Sequence, residues 1–228
     1  DEAFLLGLYQ ADGTQHRDLI MIDIWEQDFD LLDEIKERFD RVHYKYGCDK
    51  YEIRNTHGEA IGSRARLPAD WCEQNTGASA VRKKRLSAKT LSKALRFSKG
   101  DIPEWVWRSN EATQWQYLRG LFYADGSVSL GSSIGNPISL SICNIDRAFL
   151  EQLQLLMRNL GLNATLYLQK EAGQSLLPDG RGGKKLYDTQ TAWRLIVGNK
   201  NDALEMERNT SFLSRKGIEI EDRHYRNN

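Results

Sequence analysis

Cysteine and long apolar runs are scarce in this chain of 228 residues, and it carries no net charge of either sign. The 3 cysteines, Cys48, Cys72 and Cys143, stand far apart with no CxxC pair. That argues against a disulfide framework and a structural zinc site, and it fits a reducing compartment. No apolar run approaches the roughly 18 residues a membrane helix needs, and no signal peptide is read at the start. The 32 basic and 32 acidic side chains cancel, which at first speaks against a nucleic-acid partner. Hydrophobic content is ordinary and charged content high, as in a soluble globular protein. The length allows one large domain or two of roughly 100 residues each.

The charge is balanced only in total. Residues 1–40 hold 3 basic and 12 acidic side chains, a net of −9, whereas residues 41–99 hold 14 basic and 5 acidic, a net of +9. A phosphate backbone feels the local field, so segregation on this scale can leave one surface strongly positive.

An internal repeat organises the chain. AFLLGLYQADGT (3–14) aligns with QYLRGLFYADGS (116–127) at six identical positions of twelve, including Gly7/Gly120, Ala11/Ala124, Asp12/Asp125 and Gly13/Gly126. Each copy continues with two strand-like runs, an amphipathic helix and two more strand-like runs, then an aromatic-to-lysine tag. The tags are Phe97-Ser98-Lys99-Gly100 and Phe212-Leu213-Ser214-Arg215-Lys216-Gly217. Asp12 to Lys99 is 87 positions, and Asp125 to Lys216 is 91. Two copies with matched spacing predict a pseudo-twofold molecule rather than a solenoid.

Periodicity supplies the elements. Phe29, Leu32, Ile35 and Phe39 share a helical face after Asp28 as cap, and Phe149, Leu153, Leu156 and Leu160 do so after Asp146. Val42, Tyr44 and Tyr46 alternate with His43 and Lys45 as in a strand, and Tyr51 and Ile53 alternate with Glu52 and Arg54. In the second copy Ile138, Leu140 and Ile142 oppose Ser139, Ser141 and Cys143. Leu162, Ala164, Leu166 and Leu168 likewise oppose Asn163, Thr165, Tyr167 and Gln169. Such polar rows suit contact with base edges and phosphates. A basic run (Arg82 to Arg85), a short helix near 88–97 and a proline-started helix after Ile102 are expected. Residues 100–113 read as a connection, and 171–187 as a mobile basic hairpin tip.

Gly7 and Ala11, like Gly120 and Ala124, put small residues on one helix face, so two helix backbones can approach closely. Gly13 and Gly126 are expected to end these helices as left-handed caps. Asp12 and Asp125 then sit in the last turn, at the negative end of the dipole, at a cost of roughly 0.3–1 kcal/mol each. A shared divalent cation would offset both that and their mutual repulsion, and hard oxygen ligands point to Mg²⁺.

AFLLGLYQADG and YLRGLFYADGSV resemble the two signature helices of a single-chain LAGLIDADG homing endonuclease. The IPEW stretch and the lysine tags are similar to that family too, so the resemblance covers nearly the whole chain. It implies an α+β fold of two pseudo-twofold αββαββα repeats, 1–99 and 114–228, joined by 100–113. The motif helices would pack at the centre, and two saddle-shaped antiparallel sheets would grip double-stranded DNA in the major groove. It implies hydrolysis of both strands with two or three Mg²⁺ ions, replaceable by Ca²⁺ or Mn²⁺. Asp12 and Asp125 would hold the metal, aided by the carbonyls of Ala11 and Ala124, with Lys99 and Lys216 near the scissile phosphates. The first tag is two residues shorter between phenylalanine and lysine. Expected DNA contacts are Gln15, Arg17, His43, Lys45, Glu52 and Arg54 in the first half. In the second they are Ser127, Ser129, Ser139, Ser141, Asn163, Thr165, Tyr167, Gln169, Arg181, Lys184, Lys185 and Arg194.

The rivals are an RNA-splicing maturase and a DNA-binding regulator that has lost its chemistry. An acid at the end of both helices favours the enzyme. An intein origin is a third idea, but the chain opens at Asp1 and lacks a terminal His-Asn pair, so self-splicing by this chain alone is not expected. A monomer without an obligate protein partner is expected.

Overall fold

The fold, obtained as a computed structural model, is described for residues 1–16, 19–46, 50–54, 60–65, 72–74, 83–88, 99–130, 138–178 and 183–219. Two helices form its centre. Helix α1 (Glu2–Asp12) is apolar almost all round, and residues 3–10 are all buried, as expected of a helix enclosed on every side. Two short steps lead to its counterpart. A four-residue helix, α3 (Glu104–Trp107), follows Pro103 directly. Asn110 then opens α4 (Glu111–Asp125), its side chain accepting from the Thr113 amide at 3.0 Å, a cap for one of the helix's orphan donors.

Each central helix leads straight into a four-stranded antiparallel sheet. In the first half the strands are β1 (Gly13–His16), β2 (Leu19–Trp25), β5 (Cys72–Gln74) and β6 (Lys83–Ala88), in the order β1-β2-β6-β5. In the second they are β7 (Ser127–Ser129), β8 (Ser139–Asn144), β9 (Ala164–Lys170) and β12 (Ala192–Val197), in the order β7-β8-β12-β9. The matched order bears out the repeat. Each half adds a two-stranded hairpin beyond the expected αββαββα plan. One is β3 (Lys50–Arg54) with β4 (Ala60–Ala65), the other β10 (Gly173–Pro178) with β11 (Lys184–Thr189). The predicted loop at 171–187 is therefore largely paired strand.

Helix α5 (Arg147–Asn159) starts as predicted, with Asp146 accepting from the Phe149 amide at 3.0 Å, and buries Phe149, Leu153 and Leu156. The first half departs from expectation. Residues Glu26–Leu31 form a 3-10 turn, and α2 runs Leu32–Tyr46. The alternation of Val42, Tyr44 and Tyr46 thus belongs to helix, not strand. Val42 also continues the 3- and 4-residue spacing of Ile35 and Phe39, all three being buried, and burial of one continuous helical stripe outweighs a short period-two pattern. Helices α6 (Lys200–Thr210) and α7 (Phe212–Arg215) close the second half. Among the described residues no helix is long and apolar enough to cross a membrane. The short helix predicted near 88–97 lies almost wholly outside the described residues, and residues 83–88 are strand.

Candidate metal and nucleic-acid site

The central helices touch backbone to backbone. A Cβ added at Gly7 would lie 2.3 Å from the Tyr117 carbonyl oxygen, and one at Gly120 would lie 2.0 Å from that of Phe4. Ala11 and Ala124, one turn on, pack against the same core. The close crossing carries the last turns of both helices, and with them Asp12 and Asp125, to one place.

Each aspartate is the final residue of its helix. The amide after it, of Gly13 or Gly126, donates to the carbonyl of Tyr9 or Phe122. Neither glycine is a left-handed cap: Gly13 has φ −77 and ψ 156, and Gly126 φ −69 and ψ 137. Glycine is needed for space instead. A Cβ would stand 2.3 Å from the Tyr9 ring at Gly13, and 2.3 Å from the Phe122 carbonyl oxygen at Gly126. The chain can then pass from helix to strand without a detour, which leaves the carboxylates at the helix ends.

The electrostatics fit two acids confined together. Burial pushes the Asp125 carboxyl up to about 6, with the charge of Asp12 adding to the rise and Lys99 opposing it. Asp12 is raised by burial as well; Lys99 again lowers it, while Asp28 and Asp23 raise it. Lys99 in turn is lowered by desolvation, against the pull of Asp125 first and Asp12 second. Its ammonium lies 5.7 Å from the centre of the Tyr9 ring. Lys216 lies 3.8 Å from an Asp28 oxygen. Both tag lysines therefore stand beside the aspartates or their acidic neighbours, and the second tag reaches the opposite half at Asp28.

Strand register sorts the sheet residues. Ser127 faces Ser141 and Ser129 faces Ser139, while Arg194 pairs with Cys143 on one side and Tyr167 on the other. Thr165 joins this row opposite Ile196. The other row holds Leu140, Ile142, Leu195 and Val197, all buried. In the first sheet Gln15 pairs with Ile20, in the row of Ile22 and Ile24, so Thr14 and Asp23 lie in the polar row. Lys83 and Arg85 also belong to the polar row, opposite Trp25 and Asp23.

Residues 112–209 match the family model of the LAGLIDADG-like domain. The second half of this chain is similar to a LAGLIDADG-like domain.

The chain's fold is that of the LAGLIDADG homing endonucleases. Structures of mesophilic variants of the homing endonuclease I-DmoI superpose with a TM-score of 0.52 at 16% identity, covering 92% of this chain and 89% of theirs. I-DmoI in complex with DNA and Mn gives 0.52 and 16%, over 92% and 94%. Full-length DUF199/WhiA from Thermatoga maritima gives 0.50 and 12%, over 96% of this chain and 61% of that one. At these identities the likeness is one of fold. By sequence, 204 residues (88% of this chain) are 25% identical to the ribonucleoside-diphosphate reductase NrdEB subunit alpha of Bacillus subtilis (strain 168) and of Bacillus phage SPbeta. The chain spans 18% of the length of those relatives.

The predicted contact residues fare unequally. Thr165, Tyr167 and Gln169 are exposed on the second sheet, and Asn163 is exposed just before it. Ser127, Ser129 and Arg194 share the polar row. Ser141 shares it too but is only 4% exposed, its hydroxyl 2.9 Å from that of Ser127, so it braces the sheet rather than offering a contact. Arg194 Nε donates to Cys143 Sγ at 3.1 Å. Lys184 and Lys185 are exposed on β11, with Lys185 5.9 Å from the Tyr187 ring centre. In the first half Gln15 lies in the apolar row, and His43 and Lys45 lie on a helix rather than a strand. Glu52 and Arg54 pair with Ser63 and Ala60 in the β3–β4 hairpin, across a register shift between Ile53 and Arg54. Arg17 and Arg181 lie outside the described residues.

Sequence reasoning missed the Tyr9 ring under Lys99, the partners of Asp28, and the alignment of Lys83 and Arg85 with the polar row. Only the repeat could have flagged the last: Arg85 holds the register position that Arg194 holds in the second half.

Proposed function

We propose that this chain is a site-specific endonuclease that cuts both strands of double-stranded DNA with a divalent metal, acting as a monomer on a long asymmetric site. The observation that carries the reading is the pair of aspartates at the ends of two helices in backbone contact, one of them held up to about 6 by burial and by the other's charge. Two partly buried carboxylates cost free energy, which the charge of Lys99 offsets only in part, and a hard cation removes the rest. Among the described residues no cluster of three or more His, Cys, Asp or Glu side chains forms. A cation here would therefore take Asp12 and Asp125, with backbone carbonyls such as those of Ala11 and Ala124, water and phosphate oxygens completing its shell.

Such a cation would polarise the phosphate and lower the pKa of an attacking water. The chain's own part is positional. The helix crossing fixes the separation of the aspartates, Lys99 and Lys216 offer positive charge to the developing phosphorane, and the polar sheet rows hold the duplex. The two halves present different polar rows, which favours an asymmetric target over a palindrome. Incubation with a randomised duplex library and Mg²⁺ tests the reading. Double-strand cuts enriched at one long sequence support it; binding without cutting points to a regulator of the same fold, and cutting or splicing of RNA to a maturase.

The match to less than a fifth of much longer reductase chains favours a second reading, of context. We infer that the nuclease corresponds to a segment carried within a longer polypeptide. Immunodetection of the native product tests this, since only a free species of this chain's mass, with no larger precursor, would contradict it.

A further inference from the structure

The repeat places an aspartate ahead of the second helix in each half, and the two are used differently. Asp146 caps α5 through the Phe149 amide. Among the described residues Asp28 caps no helix: it lies inside the 3-10 turn with φ −117 and ψ 17, and the cap position is Trp25. Its carboxylate accepts instead from Arg215 in the tag of the other half and lies 3.8 Å from the ammonium of Lys216. The Arg215 and Asp28 side chains are only 8% and 16% exposed, so salt screens this pair little. Arg215 is held further by Asp30 at 3.3 Å and by the Tyr123 ring at 5.1 Å. For Lys99, among the described residues, no carboxylate lies within 4 Å of its ammonium, which stands over Tyr9.

On the nuclease reading above, we propose that Asp28 is a positioning residue for one of the two strand cleavages. By gripping Arg215 it fixes the tag that carries Lys216, so the two strands are cut by lysines with unequal support. Positioning follows rather than sequestration because Arg215 makes the close contact. Lys216 sits at the outer edge of ion-pair distance and keeps 32% of its side chain exposed, free to reach a phosphate.

The test is strand-resolved nicking of an end-labelled duplex taken from the library selection. The strand slowed by Lys216→Met defines the one Lys216 serves. Asp28→Asn is expected to slow that strand by about tenfold or more, since a 1 Å misplacement of a reacting group can cost about a hundredfold, while the other strand keeps its rate and nicked duplex accumulates. Asp28→Glu should recover part of the loss. In the Lys216→Met background Asp28→Asn should cost that strand nothing more, as expected of two residues acting through one group. Equal slowing of both strands, faster cutting of the Lys216 strand, or an additive loss in the double variant would each overturn the proposal. Should Asp28→Asn fail to fold in a thermal melt, Asp28→Glu and Arg215→Lys carry the same comparison. A wild-type protein that binds the duplex but nicks neither strand defeats the nuclease reading itself, and this proposal with it.

Discussion

Gly7 and Gly120 meet across the helix crossing with no room for a methyl group on either. The atoms that would collide are main-chain oxygens of the facing helix, of Tyr117 and Phe4, which cannot rotate aside as a side chain could. Helix separation, and through it the spacing of Asp12 and Asp125, therefore depends on two hydrogen atoms.

Gly7→Ala or Gly120→Ala is expected to lower unfolding free energy by about 3 kcal/mol, at the upper end of overpacking costs. Gly173→Ala, where a Cβ meets nothing within 4 Å, should stay within about 0.5 kcal/mol of wild type. Urea denaturation of the three variants measures the contrast, and equal losses would mean that the helices do not cross here.

Asp12→Asn and Asp125→Asn should each abolish double-strand cutting and leave duplex binding largely intact, because both metal affinity and carboxylate repulsion disappear together. Lys99→Met and Lys216→Met should slow cutting more than binding. A single aspartate variant that cuts both strands at the wild-type rate would disprove a shared site.

Stability should depend on pH through Asp125, whose carboxyl is raised to about 6. The folded state holds this proton more tightly than the unfolded chain, so the group's stabilising contribution is complete below about pH 4. It is lost as pH rises to about 6 and stays lost above that. Without metal, Asp125→Asn should melt above wild type at neutral pH, and the difference should shrink on acidification. Added Mg²⁺ should raise the wild-type melting temperature at pH 7 and lose that effect as Asp125 protonates. Calorimetry across pH with and without Mg²⁺ checks both signs.

On the second sheet, Arg194→Ala should relax specificity at one position of one half-site by about 1–3 kcal/mol, the range for a base contact. Lys184→Ala and Lys185→Ala should weaken binding to all sequences and flatten its salt dependence. Specificity profiling with a salt titration separates the two. A palindromic preferred site would mean that the halves are not read independently.

The twin aspartates, their place at helix ends and the two-half plan could all be read from the sequence. Each rests on local pattern: a repeated twelve-residue motif, small residues four apart in both of its copies, and alternation along β8 and β9. The Asp146 cap was equally local. The same reasoning misplaced Asp28, because an acid before an amphipathic stretch looks alike whether it caps that helix or reaches a residue 187 positions away. It took 42–46 for strand because Val42 fits both a period of two and the helical stripe of Ile35 and Phe39, and only the core those residues enter decides between them.

Gly13 and Gly126 were placed correctly as helix ends, but the reason was wrong: the extended exit needs room beside Tyr9 and Phe122 rather than a left-handed backbone. The row assigned to Gln15, the burial of Ser141 and the pairing of Lys83 and Arg85 with the polar row are matters of strand register. Chain order does not fix register, because a shift of one residue turns every side chain to the other face, and burial of one face selects among the alternatives. What the sequence determined by itself was the pair of acids and the helices that end in them. The tertiary structure decided how closely those helices cross, which charges surround each acid and which lysine is anchored, since all three depend on contacts between residues far apart in the chain.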